Sequence, residues 1–166
     1  GDYTWAHVVN QGKAVEDVLP DLFLSLITGL NFTRSMRWAD EEAHFIRPVR
    51  WIVALADDKV IPVEFAHVKS GRVSRGHRFL CKEPVTIEKP EDYKETMRKA
   101  FVIVDQDERR DMIKKGLLET AEKLVGHVWH NADLLEEINY LVEYTTPLYG
   151  RIDDDFLKLP VPAVVP

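Results

Sequence analysis

Apolar residues recur at helical spacing in some parts of the chain and alternate with polar ones in others. Val15, Val18, Leu19, Leu22, Phe23 and Ile27 form a first helical stripe with Gly29 as its stop, and Pro20 inside the pattern predicts two short helices or a kink. Behind Pro90, which suits a first helical turn, Tyr93, Met97, Ala100 and Phe101 share one face. The clearest stripe is Ile113, Leu117, Ala121 and Leu124. Asp105 and Glu108 have capping-box spacing ahead of it, Asp111–Lys115 and Glu119–Lys123 brace its wet side, and Gly126 ends it. Leu134, Leu135, Ile138 and Leu141 predict a further helix capped by Asn131, and Asp153-Asp154-Asp155 opens a last short one. These stripes are read as core packing.

The period-2 signals are shorter. Tyr3 to Val9 alternates as a strand would, and Phe45–Ala56 and Val60–Phe65 read as a hairpin about the Asp57-Asp58 turn. Pro48 and Pro62 predict edges or bulges, because proline cannot donate to a ladder. Val85-Thr86-Ile87 and Val102-Ile103-Val104 read as strands, the second buried, and Val142–Tyr144 and Pro147–Arg151 as extended chain. Helix and strand mix without strict βαβ alternation. The fold class expected is α+β, a mixed, largely antiparallel sheet packed with helices, in one domain over residues 1–166. Both ends read as cut points, so the chain is expected to be a piece of a longer one.

One stretch fits neither period. His67–Leu80 carries Lys69, Arg72, Arg75 and Arg78, with His67 and His77 beside them, Gly71 and Gly76 as punctuation, and hydroxyls at Ser70 and Ser74. No acidic residue lies between Glu64 and Glu83. The run reads as a loop or a short irregular strand, and its composition suits a phosphate-rich partner. On composition alone a solvated basic loop is favoured, because surface charge runs are common. A second basic group, Arg34, Arg37, Arg47 and Arg50, is interleaved with Trp38, Phe45 and Trp51. Arginine beside aromatics suits RNA, through phosphate pairing and base stacking; equally, such a tryptophan can be core and such arginines can brace carboxylates.

Charge sharpens that picture. The 166-residue chain has a net charge of −6, which argues against indiscriminate nucleic-acid binding. From Thr33 to Arg78, however, nine basic residues face six acidic ones, while the remainder is strongly acidic. A positive patch on an acidic body can steer a polyanion to one place. The single cysteine, Cys81, permits no disulfide within the chain and fits a reducing compartment. With no apolar run long enough to span a bilayer and no signal peptide, a cytoplasmic location without membrane contact is expected.

Motifs for reactive chemistry do not assemble. Gly71 and Gly76 have P-loop spacing, but His77 and Arg78 follow where that motif needs Lys and then Ser or Thr. His127 and His130 lack the further ligands zinc requires, and Cys81 lacks an evident base. The acidic pairs fall in turns or helix starts, where acids belong for local reasons. No catalytic and no metal-ligating residue is assigned.

Several segments taken together are more specific. Ser35-Met36-Arg37-Trp38, Phe45-Ile46-Arg47-Pro48-Val49-Arg50-Trp51, Lys69-Ser70-Gly71-Arg72 and Arg75-Gly76-His77-Arg78-Phe79-Leu80 resemble the bacterial glycyl-tRNA synthetase beta subunit. So do Pro90-Glu91-Asp92-Tyr93, Asp107-Glu108-Arg109-Arg110, and Leu134–Glu143 leading to Pro147-Leu148-Tyr149-Gly150-Arg151. The resemblance covers almost the whole chain in order and departs at Ala39, where glycine would be expected. It implies a piece of a ligase of two alpha and two beta chains that attaches glycine to tRNA. ATP and magnesium would be used by the alpha chain, so no cofactor is expected here. It also implies likeness to the editing-type domain of the phenylalanyl synthetase beta chain. The class II signatures Arg-x-Glu and Gly-x-Gly-x-Gly-x-x-Arg are absent, so this piece is expected to be non-catalytic.

The expected partners are the alpha subunit and glycine tRNA. RNA contact is assigned to Arg34, Arg37, Arg47, Arg50, Lys69, Arg72, Arg75, His77 and Arg78. Two alternatives stand beside it. One is a hydrolytic editing pocket built on His77, Ser70 and Ser74, although glycine, the smallest amino acid, reduces the need for a second sieve. The other is a scaffold whose basic residues are paired internally.

Overall fold

The computed structural model describes residues 4–7, 11–38, 42–128 and 131–160. The chain clusters into two compact units, Gly1–Ala100 and Phe101–Pro166, where the sequence reading has a single domain over 1–166. As expected, the secondary structure is α+β, with short strands in small mixed and antiparallel sheets.

In the first unit, α1 spans Val15–Gly29 as one helix that runs through Pro20, so two separate helices do not form. Pro20 is its sixth residue, and its missing N–H leaves only the Glu16 carbonyl, in the first turn, without an intrahelical partner. Leu19, Phe23 and Ile27, four apart, pack against the core residues Ala54, Ile61 and Val63. Val15, Val18 and Leu22 do not join them: Val15 is 55% and Leu22 53% exposed. The helix meets the core along a single line, and apolar residues off that line stay wet.

The strands are short. Ile52–Val53 (β1) pairs parallel with Val68–Gly71 (β5), and β5 pairs antiparallel with Glu64–Phe65 (β4), giving the order β1-β5-β4. Of the hairpin expected from Phe45–Ala56 and Val60–Phe65, only Leu55–Ala56 (β2) and Lys59–Val60 (β3) pair about Asp57-Asp58, where Asp57 has φ 51°; Ile52–Val53 and Glu64–Phe65 pair with β5 instead. Val73–Arg75 (β6) pairs with Pro84–Thr86 (β7). Half of the basic stretch is thus strand, and β5 is the middle one of its sheet. Its alternation is hidden because Ser70 does core work. Its hydroxyl donates to the Ile61 carbonyl at 2.7 Å and accepts from the Val63 N–H at 2.9 Å. A 3₁₀ turn at Pro90–Asp92 leads into α2, Tyr93–Lys99, which buries Met97. Of the strand expected at the start, Thr4–His7 takes no regular structure and Tyr3, Val8 and Val9 lie outside the described residues.

In the second unit, Gln106–Lys123 (α3) and Ala132–Leu141 (α4) carry the helical stripes, burying Ile113 and Leu135. The Asp105 side chain accepts from the N–H groups of Asp107 and Glu108, and Asn131 caps α4 through Leu134 N–H, both as read. A 3₁₀ turn at Asp154–Lys158 follows Asp153. Arg110 is held by Asp107 and by both oxygens of Glu136, and this guanidinium holds the Glu136 carboxyl below its usual range. The braces expected on α3 are replaced by Lys115–Glu119 at 3.9 Å. Val102-Ile103-Val104 is buried at Ile103 but is not a strand. The Ile103 N–H donates to Glu143, and its carbonyl accepts from the Arg109 guanidinium, so a side chain occupies a ladder position.

The end of α3 also differs from the sequence reading. Gly126 does not take the left-handed position; Val125 does, with φ 53°, while Gly126 N–H reaches back to the Ala121 carbonyl at 2.9 Å. A β-branched residue there is strained by roughly 1–2 kcal/mol. Glycine would relieve the strain but adds roughly 0.5–1 kcal/mol of chain entropy to be lost. Val125 is 95% exposed, so no packing is given up. Val125→Gly is therefore expected to stabilise the second unit by about 0.5–1 kcal/mol, seen as a higher urea midpoint. An unchanged or lower midpoint would show that the left-handed turn is not the native one.

Candidate nucleic-acid interface

The parallel pairing of β1 with β5 decides what meets in the first unit. Its register sets Ile52 opposite Ser70 and Val53 opposite Gly71, which carries Arg50-Trp51 alongside Lys69. Arg75, on β6, completes the group. Arg50, Lys69 and Arg75 line a hollow of about 270 Å³ whose wall includes Trp51 and Ser74. Two basic clusters far apart in sequence thus contribute to one groove.

Each cation there has a modest engagement. The Arg75 guanidinium lies 6.0 Å over the Trp51 ring, a cation–π placement. Lys69 stands 4.0 Å from Glu64 with both side chains largely in water, a pairing of little energetic weight. Arg50 is exposed and has no ion pair with another described residue.

A second hollow, of about 390 Å³, adjoins the first and shares Trp51 and Ser74 with it. Trp51, Val53 and Leu55, at every second position, line it together with Ile87 and Tyr93. Its lining side chains are mostly apolar or aromatic, although its surface is nearly as polar as apolar; the first is bordered by three cations.

The other assigned residues divide. Arg72 is structural: its guanidinium binds the Glu88 carboxylate at 3.0 Å, the Glu88 carbonyl at 3.1 Å and the Asp58 carbonyl at 2.8 Å. It ties the β2–β3 turn to the end of β7, so three of its donor directions are already used. His77 is also committed, since its Nδ1 accepts from the N–H groups of Phe79 and Leu80, both at 3.2 Å. Arg78 lies 5.9 Å over the Phe79 ring at the surface. Arg34, Arg37 and Arg47 are exposed around the Met36–Phe45 bridge, behind which Phe32, Phe45 and Phe65 stack edge to face. None of these four lines the groove.

Two of the three groups considered for hydrolysis are already engaged: Ser70 with the backbone of Ile61 and Val63, and His77 in its own turn. Cys81 is half-buried, its thiol donating to the Glu83 carbonyl at 3.7 Å. Among the described residues no cluster of three His, Cys, Asp or Glu could hold a metal ion, and no helix is long and apolar enough to cross a membrane. His130 lies outside the described residues. Sequence reasoning missed Tyr93 as a wall, because nothing in the pattern of α2 brings its first residue to the same hollow as Trp51.

The family model for the glycyl-tRNA synthetase beta subunit matches residues 1–165. The chain belongs to that family. Curated relatives agree: the glycine–tRNA ligase beta subunit of Clostridioides difficile is 40% identical over 164 residues, 99% of this chain and 24% of that one. That of Desulfitobacterium hafniense is 43% identical over 162 residues, 98% of this chain and 23% of the relative. That of Geobacter sulfurreducens is 39% identical over 160 residues, 96% and 23%. This member of the glycyl-tRNA synthetase beta family therefore spans about a quarter of the length of the curated relatives it matches. Asp107-Glu108-Arg109-Arg110, one of the segments that carry the resemblance, does structural work: Asp107 and Arg110 pair, and Arg109 binds two carbonyls.

Proposed function

We propose that this chain is a non-catalytic part of the beta subunit of a glycine–tRNA ligase, and that its groove at Arg50, Lys69 and Arg75 contacts the tRNA backbone. The complete enzyme would join glycine to tRNA in the cytoplasm as two alpha and two beta chains, with ATP and magnesium used by the alpha chain. Family membership supports the enzyme. The observation that carries the RNA reading is the convergence of three lightly engaged cations around Trp51 on an otherwise acidic chain. Phosphates position an RNA through such cations, and a tryptophan between them adds a stacking surface. The internal bonds of Ser70 and His77 favour this over hydrolytic editing. Likeness to the editing-type domain of the phenylalanyl synthetase beta chain is proposed at the level of architecture only, from the α+β mix.

The test is tRNA binding by the intact ligase carrying Arg50→Ala, Lys69→Ala and Arg75→Ala together, measured against salt. Arg72 is left alone because its loss would loosen the fold. Losing three phosphate contacts is expected to weaken binding and flatten the slope of log K against log salt by about 2 to 3. Native affinity with a native slope would remove the RNA role from this groove.

A further inference from the structure

We infer that the apolar hollow beside the groove receives one unpaired base, so that the two hollows together hold a single extruded nucleotide. The inference rests on the RNA reading and specifies it. The cationic groove and the second hollow meet at Trp51 and Ser74, so a phosphate held by Arg50, Lys69 and Arg75 has an aromatic-walled cavity next to it. At about 390 Å³ the cavity is in the size range of small-ligand sites, and it opens to the surface at Trp51, which is 43% exposed, and Tyr93.

The chemistry of the walls selects the occupant. Trp51 and Tyr93 offer stacking surfaces to any planar base, and Val53, Leu55 and Ile87 give the apolar floor. Ser74 is 5% exposed, borders both hollows, and its hydroxyl has no hydrogen-bond partner among the described residues. It is available to a base edge or a ribose hydroxyl. No side chain of either charge lines the apolar hollow, which disfavours a charged ligand there. A base within a duplex is stacked and cannot enter, so the site distinguishes single-stranded from paired RNA.

The experiment uses the intact ligase and two competing probes: a single-stranded oligoribonucleotide of about eight nucleotides and a blunt duplex matched in phosphate number. Trp51→Leu keeps an apolar wall but removes the π surface; Trp51→Phe keeps a smaller one; Tyr93→Leu removes the other aromatic wall residue and serves if Trp51→Leu does not fold. Trp51→Leu is expected to weaken single-strand binding about tenfold with an unchanged salt slope, while duplex binding stays native. Trp51→Phe should retain most of the affinity. If Trp51→Leu and Tyr93→Leu bind the single strand as the native ligase does while the triple alanine variant binds weakly, the base site is wrong and the backbone contact stands. That outcome would also follow if another apolar segment of the protein covers the hollow. If Trp51→Leu weakens strand and duplex alike and flattens the salt slope, the ring only positions Arg75, and the base site again falls. If the triple alanine variant binds natively, the RNA reading itself fails.

Discussion

Gly76→Ala is expected to destabilise the first unit by about 3 kcal/mol, the upper part of the range for an overpacked site. A β-carbon on Gly76 would lie 2.5 Å from the Ala100 carbonyl oxygen, 2.6 Å from the Ala100 β-carbon and 2.9 Å from the Cys81 β-carbon. The first of these is backbone and cannot swing aside. It is also fixed in place, because the same Ala100 oxygen accepts the His77 N–H at 2.8 Å. Relief would require breaking that bond, worth on the order of 1 kcal/mol, or moving the end of α2 and its buried Met97. Gly71→Ala is the control: nothing lies within 4 Å of its added carbon and its φ is not positive, so it should unfold at or slightly above the native urea midpoint. Equal midpoints for Gly76→Ala and the native chain would mean that β6 and α2 do not approach as closely as described.

The second large effect lies in the other unit. Arg109→Met is expected to cost about 3 kcal/mol, since hydrogen bonds to a charged group contribute roughly 1.5–3 kcal/mol each and two are lost here. Arg109 Nε donates to the Asn139 carbonyl at 2.8 Å, and Nη1 to the Ile103 carbonyl at 2.6 Å. Both acceptor residues are buried, so neither carbonyl can turn to water when the guanidinium goes. Methionine preserves most of the packing volume, which isolates the polar term. Arg109→Lys should recover less than half of the loss, because an ammonium cannot present two fixed donors to carbonyls on separate segments. A urea midpoint for Arg109→Met within error of native would show that the guanidinium is not the link between α3 and the extended chain at Ile103.

Much of the fold is readable from residue pattern because it depends on local chemistry. The caps at Asp105 and Asn131, the turn at Asp57-Asp58 and the start at Pro90 each follow from one side chain and its immediate neighbours. The β4–β5 hairpin escaped notice for a definite reason. Its two-residue turn is Ala66-His67, with φ 49° and 60°, where the usual signal would be Asn-Gly. Val125 hides the end of α3 in the same way. The candidate site was legible in its parts: the cations and Trp51 were named from composition. Their division was not. Whether Arg72 faces RNA or braces Glu88 and Asp58 depends on a hairpin fourteen residues away in the chain.

The sequence by itself determined the α+β class, the cap and turn positions, the segments that mark the family, and the existence of a basic region on an acidic chain. All of these are properties of residue order over a few turns or of the chain's total charge. Only the tertiary structure decided that Arg50, Lys69 and Arg75 share a groove while Arg72 and His77 serve the fold. The physical reason is the parallel register of β1 and β5, a non-local pairing that no short pattern encodes and that sets which side chains become neighbours.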